Sequence, residues 1–268
     1  MLSVDRRNRI LELIRESGSV SVTMLSELFK VSGETIRRDL QRMENQGLLK
    51  RAYGGAYLGD VVRQDVHIEI RRNTYREGKH RIGCTCAELI NSGDTIMLDC
   101  SSTALRIASE IKQKSNIIVI TNSLDILIEL SDAPNIHVIS CGGDLNPLSL
   151  SFVGMTAIEN LEKFNVDKAF VSCTGVSIKE GITDANEMQA YIRKRMLDSA
   201  QKRILIADYT KFGKVTLTKF ADLEDVHMIV TDQILPDEWM TLLENKQIEL
   251  CYPERQEPLA ECDEDDDQ

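Results

Sequence analysis

No apolar run in this 268-residue chain approaches the roughly 18 residues that cross a bilayer, so no membrane span is expected. The amino-terminal segment MLSVDRRNRI lacks the apolar stretch of a secretory signal. Seven cysteines stand at 84, 86, 100, 141, 173, 251 and 262, without the spacing of a small disulfide scaffold. An odd number of scattered thiols suits a reduced, cytoplasmic protein. The four histidines (67, 80, 137, 227) do not cluster at metal-ligand spacing, and Cys84 and Cys86 have no partner pair, so neither metal nor cofactor is expected. What remains is a chain 42% hydrophobic and 28% charged, the balance of a globular protein, with length for two or three domains.

The charge is unevenly placed. Residues 1–81 carry 16 Lys+Arg against 11 Asp+Glu, whereas the other 187 carry 16 against 32. A basic head on an acidic body is the pattern of a nucleic-acid module joined to a soluble domain. Chance clustering of solvated charges gives the same totals, so motifs must decide.

Within residues 6–17, Ile10, Leu11, Leu13 and Ile14 recur at helical spacing with arginines on the other face. Gly18 supplies a stop. The run SVSVTMLSELF predicts a second short amphipathic helix through Leu25, Leu28 and Phe29. A third begins at Ser32, whose hydroxyl suits an N-cap, with Ile36, Leu40 and Met43 as its buried stripe and Gly47 as its end. Glu34, Arg38, Gln41 and Asn45 then lie opposite the stripe, with Thr35, Arg37 and Arg42 on its flanks. Three short helices with tight turns fit a helix-turn-helix whose third helix enters the major groove. Arg37 and Arg38 suit guanine edges or phosphates, and Gln41 suits adenine. LLKRAYGGAYL reads as strand, glycine turn and strand: a wing offering Lys50 and Arg51 to phosphates.

The string VSGETIRRDLQRMENQGLLKRAYGGA closely resembles the amino-terminal signature of DeoR-family transcriptional regulators. Tyr53 departs from it, since that family usually has histidine before the two glycines. Gly33 is expected to help set operator preference, and Asp39 to orient a neighbouring arginine or helix instead of meeting DNA. The candidate DNA-contacting set is Ser32, Gly33, Glu34, Thr35, Arg37, Arg38, Gln41, Arg42, Lys50, Arg51 and Tyr53.

Residues 59–76 read as a hinge running into the next domain, and the basic groups of this joint, Arg71, Arg72, Arg76, Lys79 and Arg81, suit either DNA backbone or, the preferred reading, acids of the following domain. From residue 94, the runs 95–99, 116–121, 136–141, 168–173, 203–208 and 226–232 alternate with helical segments. That alternation predicts a mostly parallel sheet with helices on both faces, and such sheets bind ligands at the carboxyl ends of their strands. The residues there are Asp99, Ser101, Ser102 and Thr103; Thr121, Asn122 and Ser123; Gly142 and Gly143; Thr174 and Gly175; and Asp208 with Lys211. Hydroxyls and free amides at helix starts make an anion cradle, glycines let backbone approach, and Lys211 suits a phosphate. Asp99 and Asp208 suit sugar hydroxyls, although Asp99 has the alternative role of capping a loop.

These motifs, together with Phe152-Val153-Gly154, Asp167–Phe170 and Glu187, also resemble the DeoR effector domain, which is similar to ribose-5-phosphate isomerase. The resemblance spans about residues 5–252 and implies a repressor controlled by a phosphorylated sugar. The isomerases' acidic stretch is replaced here by Thr174-Gly175-Val176-Ser177-Ile178, so catalysis is not expected, although Glu180, Asp184 and Glu187 follow. The rival reading is a sugar-phosphate isomerase-like enzyme with a basic extension.

The expected protein is a cytoplasmic regulator, most simply a repressor of carbohydrate utilisation. It combines a winged helix-turn-helix (1–58), a hinge (59–76), an α/β effector domain (77–253) and an acidic, disordered tail (254–268). Its expected partners are double-stranded operator DNA, a phosphorylated sugar and further copies of itself in a dimer or tetramer.

Overall fold

The computed structural model describes residues 3–17, 19–46, 48–52, 54–57 and 68–253. The amino-terminal part runs α1 (Ser3–Ser17), β1 (Ser19–Ser21), α2 (Val22–Phe29), α3 (Gly33–Asn45), β2 (Lys50–Ala52) and β3 (Gly55–Tyr57). The helical stripes meet in one core of Ile10, Ile14, Leu25, Ile36, Leu40 and Met43, all at most 1% exposed. Leu28 lies outside it at 55% exposure. At about 100° per residue it sits on the side of Leu25 away from Phe29. The wing is a three-stranded antiparallel sheet in the order β1-β3-β2, with Arg51 opposite Ala56. Pairing with β1 lets strands of three residues persist, because a lone hairpin is marginal.

The second part contains α4 (Ile68–Asn73), α5 (Arg76–Glu88), β4 (Thr95–Leu98), α6 (Ser102–Ile111), β5 (Ile117–Thr121), α7 (Leu124–Leu130) and β6 (Ile136–Ser140). There follow β7 (Asp144–Asn146), β8 (Ser151–Val153), α8 (Met155–Leu161), β9 (Val166–Val171), β10 (Gly175–Ser177), β11 (Gly181–Asp184) and α9 (Glu187–Asp198). The rest is β12 (Ala200–Ile206), β13 (Thr218–Ala221), β14 (Met228–Val230), α10 (Asp237–Asn245) and β15 (Glu249–Cys251).

Seven of these strands form one sheet in the order β15-β14-β12-β9-β4-β5-β6, every pairing parallel. Side chains alternate through it. Ile96, Leu98, Val119, Phe170 and Ile204 face α5 and α6 residues such as Ile82 and Ile107. Met97, Ile120, Ala169, Val171 and Leu205 face the other core with Ala157, Met196 and Trp239. The fold is therefore a winged helix-turn-helix plus an α/β domain with helices on both faces of a parallel sheet. All six strands read from the sequence are present, and β15 adds a seventh from a run too short and polar to stand out. Two small units, the β7–β8 hairpin and the β10-β11-β13 sheet, were invisible to that reading, because strands of three or four residues hold too few alternations.

Candidate functional site

Ser32 caps α3: its hydroxyl accepts from the Thr35 amide at 3.3 Å and shares a 2.9 Å hydrogen bond with the Thr35 hydroxyl. Beyond this cap, Glu34, Arg37, Arg38, Gln41 and Arg42 are exposed, while Gly33 and Thr35 are half-buried. Glu34 lies within 3.7 Å of both Arg37 and Arg38, holding the two guanidiniums over the first turn. Gln41 receives a hydrogen bond from Arg51 of the wing, and Glu44 accepts from the Arg51 amide at 2.9 Å. Helix and wing thus present one polar face that also carries exposed Lys50. Asp39 turns inward, 3% exposed, and accepts from Arg6 of α1 at 2.6 Å. Tyr53, Gly18 and Gly47 lie outside the described residues.

Because every neighbour in the large sheet runs parallel, all strand ends named from the sequence fall on one edge. The chain passes from β4 outward to β5 and β6, then returns to β9 on the other side of β4. That reversal opens a crevice between the ends of β4 and β9. Not every loop is near it. The turn after β6 and the turn after β12 are four strand spacings apart, about 19 Å, too far for one small sugar to span.

Asp99 closes the end of β4. Its Oδ1 accepts from the Ser101 amide at 3.1 Å; its Oδ2 accepts from the Ser172 amide at 2.9 Å and from Arg193 at 2.7 Å. Arg193, on α9, also donates to Asp184, which receives the Thr174 hydroxyl at 3.2 Å. Ser101 caps α6 through the Ala104 amide, Ser102 donates to the Arg71 carbonyl at 3.3 Å, and Thr103 is buried beside them. Asp208 caps the short turn Tyr209–Lys211 by accepting from the Thr210 amide at 3.1 Å. Lys211 is half-buried.

On the other flank, Thr121 donates to the Leu98 carbonyl at 2.7 Å, and Ser123 caps α7. Asn122 lies beneath the β7–β8 hairpin and donates to the Phe152 carbonyl at 3.1 Å; its Oδ1 is buried with no partner among the described residues. Gly142 and Gly143 adopt φ of +64° and +110°. A Cβ on Gly143 would lie 2.6 Å from the Val153 carbonyl, and one on Gly175 equally close to that of Lys214. Both glycines are required by packing.

The most informative group reads in the sequence only as a joint cation awaiting an acidic partner, and not as part of the site. Lys79, on α5, is only 6% exposed, and its ammonium donates to the carbonyls of Arg71 at 2.5 Å and Thr74 at 2.7 Å. Burial, reinforced by Lys211, pulls its pKa down to about 7 despite the counter-pull of Asp208; Arg71 and Arg106 add further repulsion. The buried Nε and Nη2 of Arg71 have no partner among the described residues. Of the other cations at this joint, Arg72 pairs with Asp125 and Arg81 approaches Asp232 at 3.8 Å. A lysine in a basic, polar stretch carries no sequence mark of burial. Only the packing of the α5 amino terminus over the sheet edge, where Tyr75 meets Tyr209 edge-on at 5.9 Å, reveals it.

Among the acids considered for catalysis, Asp184 is committed to Arg193 and Thr174, and Glu180 and Glu187 are exposed.

Comparison with known proteins agrees with this architecture. Residues 6–60 match the DeoR-like helix-turn-helix domain, and residues 74–233 match the DeoR C terminal sensor domain. The chain is 39% identical to YulB of Bacillus subtilis (strain 168), an uncharacterized HTH-type transcriptional regulator, over 93% of this chain and 96% of that one. It is 34% identical to the transcriptional repressor AccR of Agrobacterium fabrum, over 85% and 89%. Among solved structures, ribose 5-phosphate isomerase A from Methanocaldococcus jannaschii overlays with a TM-score of 0.39 at 15% identity, covering 52% of this chain and 55% of that one. The chain belongs to the DeoR family of helix-turn-helix, DNA-binding transcriptional regulators. No helix among the described residues is long and apolar enough to cross a membrane.

Proposed function

We propose that this chain represses a carbohydrate-utilisation operon from the cytoplasm and is released from, or re-set on, its operator by a phosphorylated sugar. The observation that carries the reading is the buried ammonium of Lys79, set among Lys211, Arg71 and Arg106, with Asp208 opposing them. Buried charge of one sign is costly unless something neutralises it. An anion entering beside the start of α6 at Ser102 and Thr103 supplies that neutralisation. Asp208 and the remaining acceptor position of Asp99 then take sugar hydroxyls, with Thr174 and Gly175 lining the crevice. The turn at Thr121–Ser123, after the neighbouring strand β5, borders it on the other flank, and Gly142–Gly143 lies beyond its reach.

Lys79 and Ser102 donate to the same Arg71 carbonyl near the end of α4, the helix within the hinge. A phosphate that draws these donors away frees that carbonyl, so the ligand and the fixed hinge compete for one set of protons. This is a population shift biased by differential binding. The division of labour follows: residues 1–58 grip DNA, 59–76 transmit, 77–253 sense, and the acidic tail 254–268 solubilises. A dimer or tetramer places two recognition helices on paired half-sites, multiplying the modest selectivity of one.

The test is operator binding by the full chain, followed by fluorescence anisotropy with a panel of pentose and hexose phosphates, the matching free sugars and inorganic phosphate. A phosphorylated sugar should change operator affinity where its free counterpart does not, and Lys211→Ala should blunt that response while leaving DNA binding intact. Response to a free sugar alone, to no sugar phosphate, or unchanged in Lys211→Ala overturns the assignment. Turnover of a sugar phosphate would favour the enzyme reading instead.

A further inference from the structure

On the outer side of α5, His80 and Cys84 stand one helical turn apart, while Lys79, Ile82 and Cys86 face inward. Gly83 brings α6 unusually near: a Cβ there would lie 2.8 Å from that of Arg106. Glu110, one turn further along α6, consequently reaches His80, its Oε1 3.3 Å from Nδ1. The Cys84 sulfur is 3.8 Å from Nε2 and 3.9 Å from Nδ1 of the same imidazole. One donor atom from each of the three residues falls within 4.8 Å of the others.

We infer that His80, Cys84 and Glu110 form a three-ligand site for a zinc-class divalent cation, clipping α5 to α6. With metal–ligand bonds of about 2.0–2.3 Å, the edges of a tetrahedron are roughly 3.3–3.7 Å, so these side chains need only small movements to close on an ion. One thiolate, one imidazole and one carboxylate suit zinc or cobalt better than magnesium or calcium, which prefer oxygen alone. The fourth position faces solvent and takes water.

When the ion binds, the Cys84 thiol gives its proton to solvent as the metal–sulfur bond forms. A largely exposed His–Glu pair alone contributes little and gives no reason for a sulfur beside it. The histidine and cysteine are legible as an i, i+4 pair, but the third ligand comes from another helix. This site is independent of the effector reading, although α5 and α6 also carry Lys79 and Ser102.

The test uses the reduced full chain, stripped with chelator and titrated with Co²⁺ in metal-free buffer. A single equivalent should bind with a thiolate-to-cobalt charge-transfer absorption, be displaced by Zn²⁺, and raise the melting temperature. Cys84→Ser should abolish the charge-transfer band, whereas Cys251→Ser should keep it. His80→Ala and Glu110→Gln should each weaken binding by about tenfold or more. All three ligands are at least partly exposed, so these variants should fold, which their melting without metal will verify. No band, a band surviving Cys84→Ser, or affinity unchanged in both His80→Ala and Glu110→Gln overturns the proposal.

Discussion

Arg193 donates to Asp99 across 94 positions of sequence, with both side chains at most 4% exposed. The bond fastens α9 to the end of β4, where the crevice opens. Since Arg193 also pairs with Asp184, a single guanidinium serves two buried carboxylates. Removing it by Arg193→Met strands both, at a cost of about 3–5 kcal/mol. Urea denaturation should register that loss, whereas Lys194→Met at the neighbouring exposed i, i+4 pair should cost under about 1 kcal/mol. A loss below about 1 kcal/mol in Arg193→Met would refute the strut role.

Lys79 should make anion binding sensitive to alkali. Its folded pKa of about 7 lies below its ordinary value of 10.5, so between these limits the unfolded chain binds more protons and stability rises with pH. An anion favours the charged form. Its affinity should therefore fall as pH climbs above 7, approaching about tenfold per unit. Lys79→Arg, charged throughout, should flatten that limb. Titration calorimetry with the responding sugar phosphate from pH 6.5 to 9 provides the comparison, and parallel profiles for the two proteins would dismiss Lys79 as the proton acceptor.

On DNA, Arg38 and Lys50 should separate selectivity from affinity. Arg38→Ala should erase most of the preference for operator over random duplex, a change of about 1–3 kcal/mol if the side chain reads a guanine. Lys50→Ala should weaken both duplexes alike and reduce the salt slope by about 0.9. Retained preference in Arg38→Ala would move base reading to Gln41 or the first turn of α3.

Asp39 offers a control for these DNA experiments. Asp39→Ala leaves the buried Arg6 without its 2.6 Å partner, so it should lower stability by about 3 kcal/mol or more. Any loss of operator binding should then track the unfolded fraction measured by circular dichroism. Weak binding by a fully folded variant would mean that Asp39 acts at the interface.

Two glycines should respond oppositely to alanine. At Gly143, φ is +110° and a Cβ would press on the Val153 carbonyl at 2.6 Å, so Gly143→Ala should destabilise by at least about 1 kcal/mol. At Gly33 the added Cβ would meet Val22 at an ordinary 3.4 Å, so Gly33→Ala should fold normally and change only operator preference. Equal melting temperatures for the two variants would contradict the packing argument.

Much of this was readable from the chain alone, where the controlling forces are local. The Ser32 cap, the Ile36–Leu40–Met43 stripe and the basic wing are consequences of residues within one turn or hairpin of each other. Each long strand announced itself as an apolar run bounded by helix starters, and parallel alternation put their ends on one edge. Strand order was different. Which ends border the crevice, that the turns after β6 and β12 lie far apart, and that Asp99 is claimed by Arg193 depend on contacts between residues tens of positions apart. The same holds for Lys79, whose burial comes from a helix laid over the sheet edge, and for Glu110 beside His80. Patterning determines each element and the face it buries, because hydrophobic periodicity and capping act at short range. Tertiary packing decides which charges lose their water and which partners they meet, because desolvation is a property of position in the folded body.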